Sequence, residues 1–455
     1  MEKLFQPKKV AVMGVSPSPE NLAKNIVWNL IHFGFSGEVV CYGRREGCVY
    51  GHRIYTDLAQ LPKDIDVAAI LLPAPGVPEV VDALSANGTK RFIIETGGFS
   101  EYGKEGEAIE AKLKALAHER GLKIVGPNCV GVTDMTSGLV TSFMPLDPAK
   151  IRTGPVAVIA QSGGVGLGYV NLLSREGLGT SRFVSMGNKM VLNEVDFLNH
   201  SAKDPHTRVV LLYLEGVSNG RVLYETLKSM DKPVVIHKAN ITEASAEIAR
   251  FHTSAMATKE EILTGAIRQA GKVKVTTDRQ ALNAVKALLL TPLKGKNLAI
   301  VSRSGGEGVL AADAAGIMGF KLPPYPKHII DLVRSLSRAG VIRSTNPLDL
   351  GDLYDIEKYT EIVKEIAKEQ AFYGVVFLMQ LFDREWEYVE HLIRQTREIS
   401  QTYQKPISLF IGGDTQKVAE AMKLGIYPLF GSPQEAVGAM GFLLKPPIFP
   451  SYITW

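Results

Sequence analysis

Three successive α/β domains, each a doubly wound parallel sheet covered by helices on both faces, are predicted by three features of the 455-residue sequence. Short β-branched apolar runs alternate with amphipathic stretches. That alternation restarts twice, and the second and third restarts open on nearly the same strand-turn-helix string. Strands buried on both faces need continuous apolar runs, which a parallel sheet between two helix layers imposes.

The first domain, residues 1–148, carries the strands "KVAVMGV", "EVVCYG", "VAAILLP", "RFIIETG" and "KIVGP", with helical segments such as "NLAKNIVWNLIHFG" between them. After "SFMPLDPAKIRTG" a second domain, 149–292, opens with "PVAVIAQSG", followed by "SRFVSMGN", "VVLLYLEG" and "KPVVIHKAN". The linker "TPLKGK" leads into the third, 293–455, with the strands "NLAIVSRSGG", "FKLPPY", "GVVFLMQLF" and "PISLFIGG". Several domains are expected in any case, because a single domain rarely exceeds about 200 residues.

Composition narrows the function classes. A hydrophobic share of 45%, a charged share of 22% and 43 glycines describe a turn-rich globular chain, neither disordered nor collagenous. The net charge is only +4 and no run of five or six lysines and arginines occurs, so no nucleic-acid partner is expected. Apolar runs such as "GVVFLMQLF" fall far short of the roughly 20 residues that span a bilayer, so no membrane insertion is expected either. Cys41, Cys48 and Cys129 are odd in number and lack CxxC spacing, and "MEKLFQPKKV" has no signal-peptide apolar stretch. A reducing, cytoplasmic location is the expectation.

The repeated string places Ser162, Gly163 and Gly164 in "IAQSGGVG", and Ser304, Gly305 and Gly306 in "VSRSGGEG". Such a turn lets backbone N–H groups at a helix N-terminus converge on an anion, with the helix dipole adding favourable potential. Glycine as ordinary strand-to-helix punctuation is the alternative for either copy, but two copies favour an anion, and phosphate is the expected guest. The first turn of the chain, "GVSPSPEN", has Gly14, Ser16, Pro17 and Ser18 but no GxGxxG fingerprint. A nicotinamide-dependent dehydrogenase would need that fingerprint and an acid after the second strand, where Arg44 and Arg45 stand instead.

Those two arginines lie where a ribose phosphate or pyrophosphate would rest in a mononucleotide fold, and solvated surface is the competing reading. Pro73, Thr96, Gly97, Asn128 and Cys129 end the following strands and form a candidate binding rim. No histidine lies near Cys129 in sequence, so a buried structural thiol is expected rather than a nucleophile. The histidines show no zinc spacing, no metal site is expected, and His237 reads as a satisfied strand-end residue.

Taken in order, "AVMGVS", "GPNCVG", "AVIAQSGGVG", "VSMGNK", "DPHTRVVLLYLEG", "FHTSAMA", "AIRQAGKVKV", "AIVSRSGGEGVLAADA" and "TNPLDL" resemble the α subunits of NDP-forming acyl-CoA synthetases, relatives of succinyl-CoA synthetase. The likeness runs over almost the whole chain. It implies a Rossmann-like CoA-binding domain followed by two flavodoxin-like ligase domains. It implies an ADP-forming ligase that interconverts acyl-CoA, phosphate and ADP with a carboxylic acid, CoA and ATP. Acyl phosphate and phosphohistidine are the implied intermediates.

Carried onto this sequence, His252 is the nucleophile and Glu215 of "YLEG" orients it. The turns at Ser162–Gly164 and Ser304–Gly306 hold phosphate, and Gly14, Ser16, Pro17, Arg44, Pro73, Thr96, Gly97 and Asn128 hold coenzyme A. The chemistry is consistent. A neutral imidazole nitrogen attacks phosphorus while a carboxylate bonded to the other ring nitrogen fixes the tautomer.

The chain departs from the family at the histidine segment. Asn240 and Ile241 stand where the family reads Gly-Arg, and Ser245, Ser254 and Thr258 replace glycines, which stiffens a segment meant to swing. Glu307 stands where the third-domain turn has proline, and its carboxylate would compete with phosphate. These changes keep a second reading open, a CoA-binding sensor or scaffold subunit without turnover. Three α/β domains leave no segment for an ATP-grasp module. The resemblance therefore implies a separate ATP-grasp β subunit in an α2β2 assembly, carrying the ADP/ATP and Mg2+ site.

Overall fold

The computed structural model describes residues 1–245, 260–337 and 345–444, together with residue 447. Its strands are β1 (Lys9–Met13), β2 (Glu38–Tyr42), β3 (Gly47–Val49), β4 (His52–Tyr55), β5 (Val67–Ile70), β6 (Arg91–Ile94) and β7 (Lys123–Val125) in a first sheet of order β3-β4-β2-β1-β5-β6-β7. Every neighbouring pair is parallel except the β3-β4 hairpin. The chain winds outward from β1 to β2 and then returns to β5 on the other side.

The second sheet contains β8 (Val132–Asp134), β9 (Leu139–Val140), β10 (Thr153–Ala160), β11 (Thr180–Ser185), β12 (Val209–Leu214), β13 (Val234–Lys238) and β14 (Val273–Val275), in the order β14-β13-β12-β10-β11-β8-β9. β10 to β14 pair in parallel, and all six residues of β12, the most apolar of these runs, are buried. β8 and β9 join antiparallel at one edge, beside β11. The third sheet, β16-β15-β17-β18-β19, is parallel throughout, with β15 at Leu298–Ser302, β16 at Leu348–Asp349, β17 at Gly374–Gln380, β18 at Ile407–Gly412 and β19 at Leu429–Phe430.

Three details differ from the sequence expectation. "FKLPPY" is not a strand: only Lys321 forms a bridge, to Asn297, because Pro323 and Pro324 have no N–H for a ladder. β16 of "TNPLDL" takes the edge beside β15 instead. Residues 132–140, grouped by sequence with the first domain, extend the second sheet because Arg182 on β11 forms a buried ion pair with Asp134 on β8 at 2.7 Å.

The third difference concerns the helix Asp278–Leu288. The chain forms two compact units, Met1–Ser174 with Gly179–Thr276, and Arg175–Leu178 with Thr277–Trp455. That helix, grouped by sequence with the second domain, falls in the second unit, where Arg279 grips Glu435 through two hydrogen bonds of 2.6 and 2.7 Å. Within the first unit one apolar core runs from Val10 and Val12 of β1 to Ile159 and Leu212 of the second sheet, and another, around Ala11, Met13 and Phe92, packs on the opposite face of the first sheet. Among the described residues no helix is long and apolar enough to cross a membrane.

Candidate functional site

In each sheet the first strand of the parallel series, β1, β10 or β15, has neighbours reached by winding in opposite directions, and ligand crevices open at the carboxyl ends of such strands. The three turns singled out by sequence follow these strands. After β1, Gly14 has φ +104° and a Cβ there would stand 2.2 Å from the Leu71 carbonyl oxygen, so the turn requires glycine to pass the end of β5. Gly14 and Val15 donate to the Tyr42 carbonyl, which holds the turn against β2. Ser16, Pro17, Ser18, Arg44, Arg45 and Glu46 line one open cavity of about 400 Å³. Both arginines are exposed there and available to an anion.

A second cavity, of about 500 Å³, lies between the ends of the first and second sheets within the first unit. Gly97 and Asn128 of the candidate rim line it together with Ser162, Gly163 and Gly164. The helix Gly163–Arg175 begins at that turn, where the Val165 N–H reaches Ser162 Oγ at 3.5 Å and Gly164 is exposed. A Cβ on Gly163 would meet Val130 Cγ2 at 2.0 Å, so this glycine is required by close packing, whereas Gly164 faces open space. Asn128 adopts φ +57° and donates to Asn188 of "SMGNK" at 3.3 Å, which ties the rim to the loop after β11.

Two rim residues play other parts. Thr96 is buried and its hydroxyl bonds the Leu72 carbonyl at 2.8 Å, so it fastens β6 to the end of β5. Pro73 is exposed and precedes the short turn Ala74–Gly76, without lining either cavity. Cys129 lines the cavity, but its thiol donates to the Ile94 carbonyl at 3.3 Å and burial pushes its pKa up. It is a neutral thiol. His237 shares a hydrogen bond with the Tyr169 hydroxyl through Nδ1 and meets the edge of Tyr213, consistent with a satisfied strand-end residue.

Glu215 follows β12 and is held by its backbone. Gln161, the residue before Ser162, accepts the N–H groups of Glu215 and Gly216 on Oε1 at 3.0 and 3.1 Å. The Glu215 carbonyl takes Lys238 Nζ at 2.9 Å, and the Gly216 carbonyl takes Lys189 Nζ at 2.7 Å. Lys189 also pairs with the buried Glu194 at 3.0 Å, and Glu194 accepts the Ser218 N–H at 2.7 Å. The phosphate-type turn and the "YLEG" loop are thus one hydrogen-bonded assembly. Gln161, Lys189, Glu194 and Lys238 escaped the sequence reading; only the strand-end polar residues in "AQSGG", "GNK" and "HKAN" hinted at them.

His252, Ser254 and Thr258 lie outside the described residues. Asn240 is described: it has φ +59°, is buried, and its Oδ1 has no partner among the described residues, so an asparagine holds the left-handed turn that glycine would take without strain.

In the second unit, Ser304 precedes the helix Gly305–Ile317 without a side-chain cap bond, and Gly305 and Gly306 are exposed. A Cβ on Gly305 would lie 2.7 Å from Asp349 Oδ2, so a carboxylate already stands beside this turn. Glu307 sits in the first helical turn, where burial pushes its carboxyl up and its Oε2 has no partner among the described residues. Among the described residues no group of three histidine, cysteine or acidic side chains is arranged to hold a metal.

Comparison with known proteins places these features in a family. Residues 8–135 match a CoA binding domain, and residues 153–288 match a succinyl-CoA ligase like flavodoxin domain. The chain is 30% identical to the alpha subunit of ADP-forming acetate-CoA ligase I of Pyrococcus furiosus, over 98% of this chain and 97% of that protein. It is 29% identical to ADP-forming acetate-CoA ligase II of Archaeoglobus fulgidus, over 98% of this chain but 67% of that protein. Among solved structures, a dinucleotide-forming acetyl-coenzyme A synthetase 1 of Ca. Korarchaeum cryptofilum, in complex with phosphate and ADP, superposes with a TM-score of 0.88 at 28% identity, over 97% of this chain and 96% of that chain. The chain belongs to the family of ADP-forming acetate-CoA ligase alpha subunits.

Proposed function

We propose that this chain is the α subunit of a cytoplasmic ADP-forming acyl-CoA ligase, working with a separate ATP-grasp β subunit in an α2β2 assembly. The observation that carries the reading is the cavity in which Gly97 and Asn128, at the rim of the CoA-binding domain, and the Ser162–Gly164 turn face the same space. A thioester and a phosphate bound at those two walls are within reach of each other. Arg44 and Arg45 offer charge-assisted hydrogen bonds to the phosphates of CoA, and the free N–H groups of the helix Gly163–Arg175 offer theirs to inorganic phosphate.

Phosphate attacks the acyl carbon of the thioester to give acyl phosphate and CoA. His252 then takes the phosphoryl group, and Glu215 holds its imidazole in the attacking tautomer. Most of the help in phosphoryl transfer comes from neutralising the moving charge, which the helix N-terminus supplies without reorganisation. The nucleotide and its Mg2+ belong to the partner. Support comes from the Archaeoglobus relative, about a third of whose length lies outside the part matched here, whereas the Pyrococcus relative is a named subunit of matching extent.

The test is reconstitution. The chain mixed with a candidate ATP-grasp subunit, acetyl-CoA, phosphate, ADP and Mg2+ is expected to form ATP at a rate requiring all components. Failure to form ATP, with CoA still bound by this chain, would support instead the sensor reading that the substituted histidine segment raises.

A further inference from the structure

The cavity beside the Ser162 turn contains a side chain that neither the sequence reading nor the reaction scheme uses. Glu95 ends the apolar run "RFIIE" directly after β6, and it is 3% exposed. Its Oε2 accepts the Phe143 N–H at 3.0 Å, while its Oε1 is buried with no partner among the described residues. Glu95 lines the same cavity as Gly97, Asn128 and the Ser162–Gly164 turn. Among the described residues no lysine, arginine or histidine lines that cavity.

A carboxyl placed there is costly. Burial pushes Glu95 well above the usual carboxylate range, and one backbone N–H opposes the rise only in part. Cys129 is the other titratable group on the wall among the described residues, and its buried thiol neither gives nor takes a proton near neutrality. A buried, half-satisfied acid where two substrates would meet is the local inconsistency expected of a working group rather than of a core position.

We propose that Glu95 is the general acid-base group of the thioester step, an inference that rests on the function proposed above. A phosphate oxygen bonds to the acyl carbon, the carbon-sulfur bond breaks with its electron pair going to sulfur, and the Glu95 carboxyl gives sulfur its proton. The acylated phosphate then returns its own hydrogen to the Glu95 carboxylate. Acyl-CoA and hydrogen phosphate thereby become acyl phosphate and free CoA thiol with no other proton source. Sulfur keeps that proton at neutral pH, because a thiol resembling cysteine has a pKa of about 8.5. In the opposite direction the ionised Glu95 takes the thiol proton as sulfur attacks the acyl phosphate.

The full-length chain and its Glu95→Gln variant are given either acetyl-CoA with radioactive phosphate or radioactive acetyl phosphate, and label on the protein is timed. Acetyl phosphate enters after the thioester step, so it separates that step from histidine phosphorylation. The variant is expected to lose at least about a hundredfold in the rate from acetyl-CoA, to keep its rate from acetyl phosphate within about twofold, and to bind CoA as before. Equal loss from both donors, or no loss from acetyl-CoA, would overturn the assignment. A wild-type chain labelled by neither donor would overturn the phosphohistidine scheme itself and this inference with it. Should Glu95→Gln fail to fold, Glu95→Asp carries the same comparison, with a smaller loss expected from acetyl-CoA alone.

Discussion

Lys238 Nζ donates to the backbone carbonyl of Glu215 at 2.9 Å, so a buried cation fastens the end of β13 to the end of β12. The same ammonium also bonds the carbonyls of Ala239 and Asn240. It is 1% exposed and makes no ion pair among the described residues. Lys238 thus shares the placing of Glu215 with Gln161, and it also holds the first residues after β13.

Lys238→Met removes that clamp and leaves buried carbonyls without donors. The expected cost is about 1–3 kcal/mol in chemical unfolding, accompanied by slower labelling from acetyl phosphate, because Glu215 loses one of its two backbone anchors. A variant as stable as wild type would show that the clamp contributes nothing.

Gly163 and Gly164 provide a paired test of the phosphate turn. A Cβ at position 163 collides with Val130, whereas at 164 it meets nothing within 4 Å. Gly163→Ala is expected to raise the KM for phosphate by about tenfold, the equivalent of roughly 1.4 kcal/mol. Gly164→Ala should change it by less than about twofold. Equal effects would mean that the turn does not set phosphate affinity.

Arg44 is exposed beside Ser16 and Pro17, and a charge-assisted hydrogen bond to phosphate is worth about 1.5–3 kcal/mol when formed. Calorimetry with Arg44→Ala should show CoA binding weakened by about tenfold at low salt, with the difference shrinking as salt is added. Unchanged affinity would remove Arg44 from the site.

Glu95 also makes a stability prediction with a definite sign. Its folded pKa lies above the unfolded value, so the folded chain retains a proton that the unfolded chain releases. Stability is then lost as pH rises from the unfolded carboxyl pKa of about 4.3 towards the folded one. Glu95→Gln should therefore gain stability relative to wild type progressively over that window in urea unfolding. A difference independent of pH would contradict it.

The apolar runs that became β1, β5, β10, β12, β15 and β17 were legible because a strand buried on both faces has no polar alternation to confuse the reading. The Ser-Gly-Gly turns were legible for a local reason too, since glycine before a helix records a close approach, which Gly163 makes with Val130. What stayed hidden depends on tertiary neighbours. The pairing of Val132–Asp134 with β11 follows from the Arg182 ion pair, and the helix Asp278–Leu288 is claimed by Glu435, far along the chain. Glu95 looked like the ordinary polar end of a strand. Only its burial and its bare Oε1, on the wall shared with Ser162, set it apart.

The most direct measurement incubates this chain alone with acetyl-CoA and radioactive inorganic phosphate, without nucleotide, and compares it with His252→Ala. The account predicts acid-labile, base-stable label on the protein that disappears in the variant. Label that survives His252→Ala, or no label from any acyl-CoA even after the ATP-grasp partner is added, would contradict it.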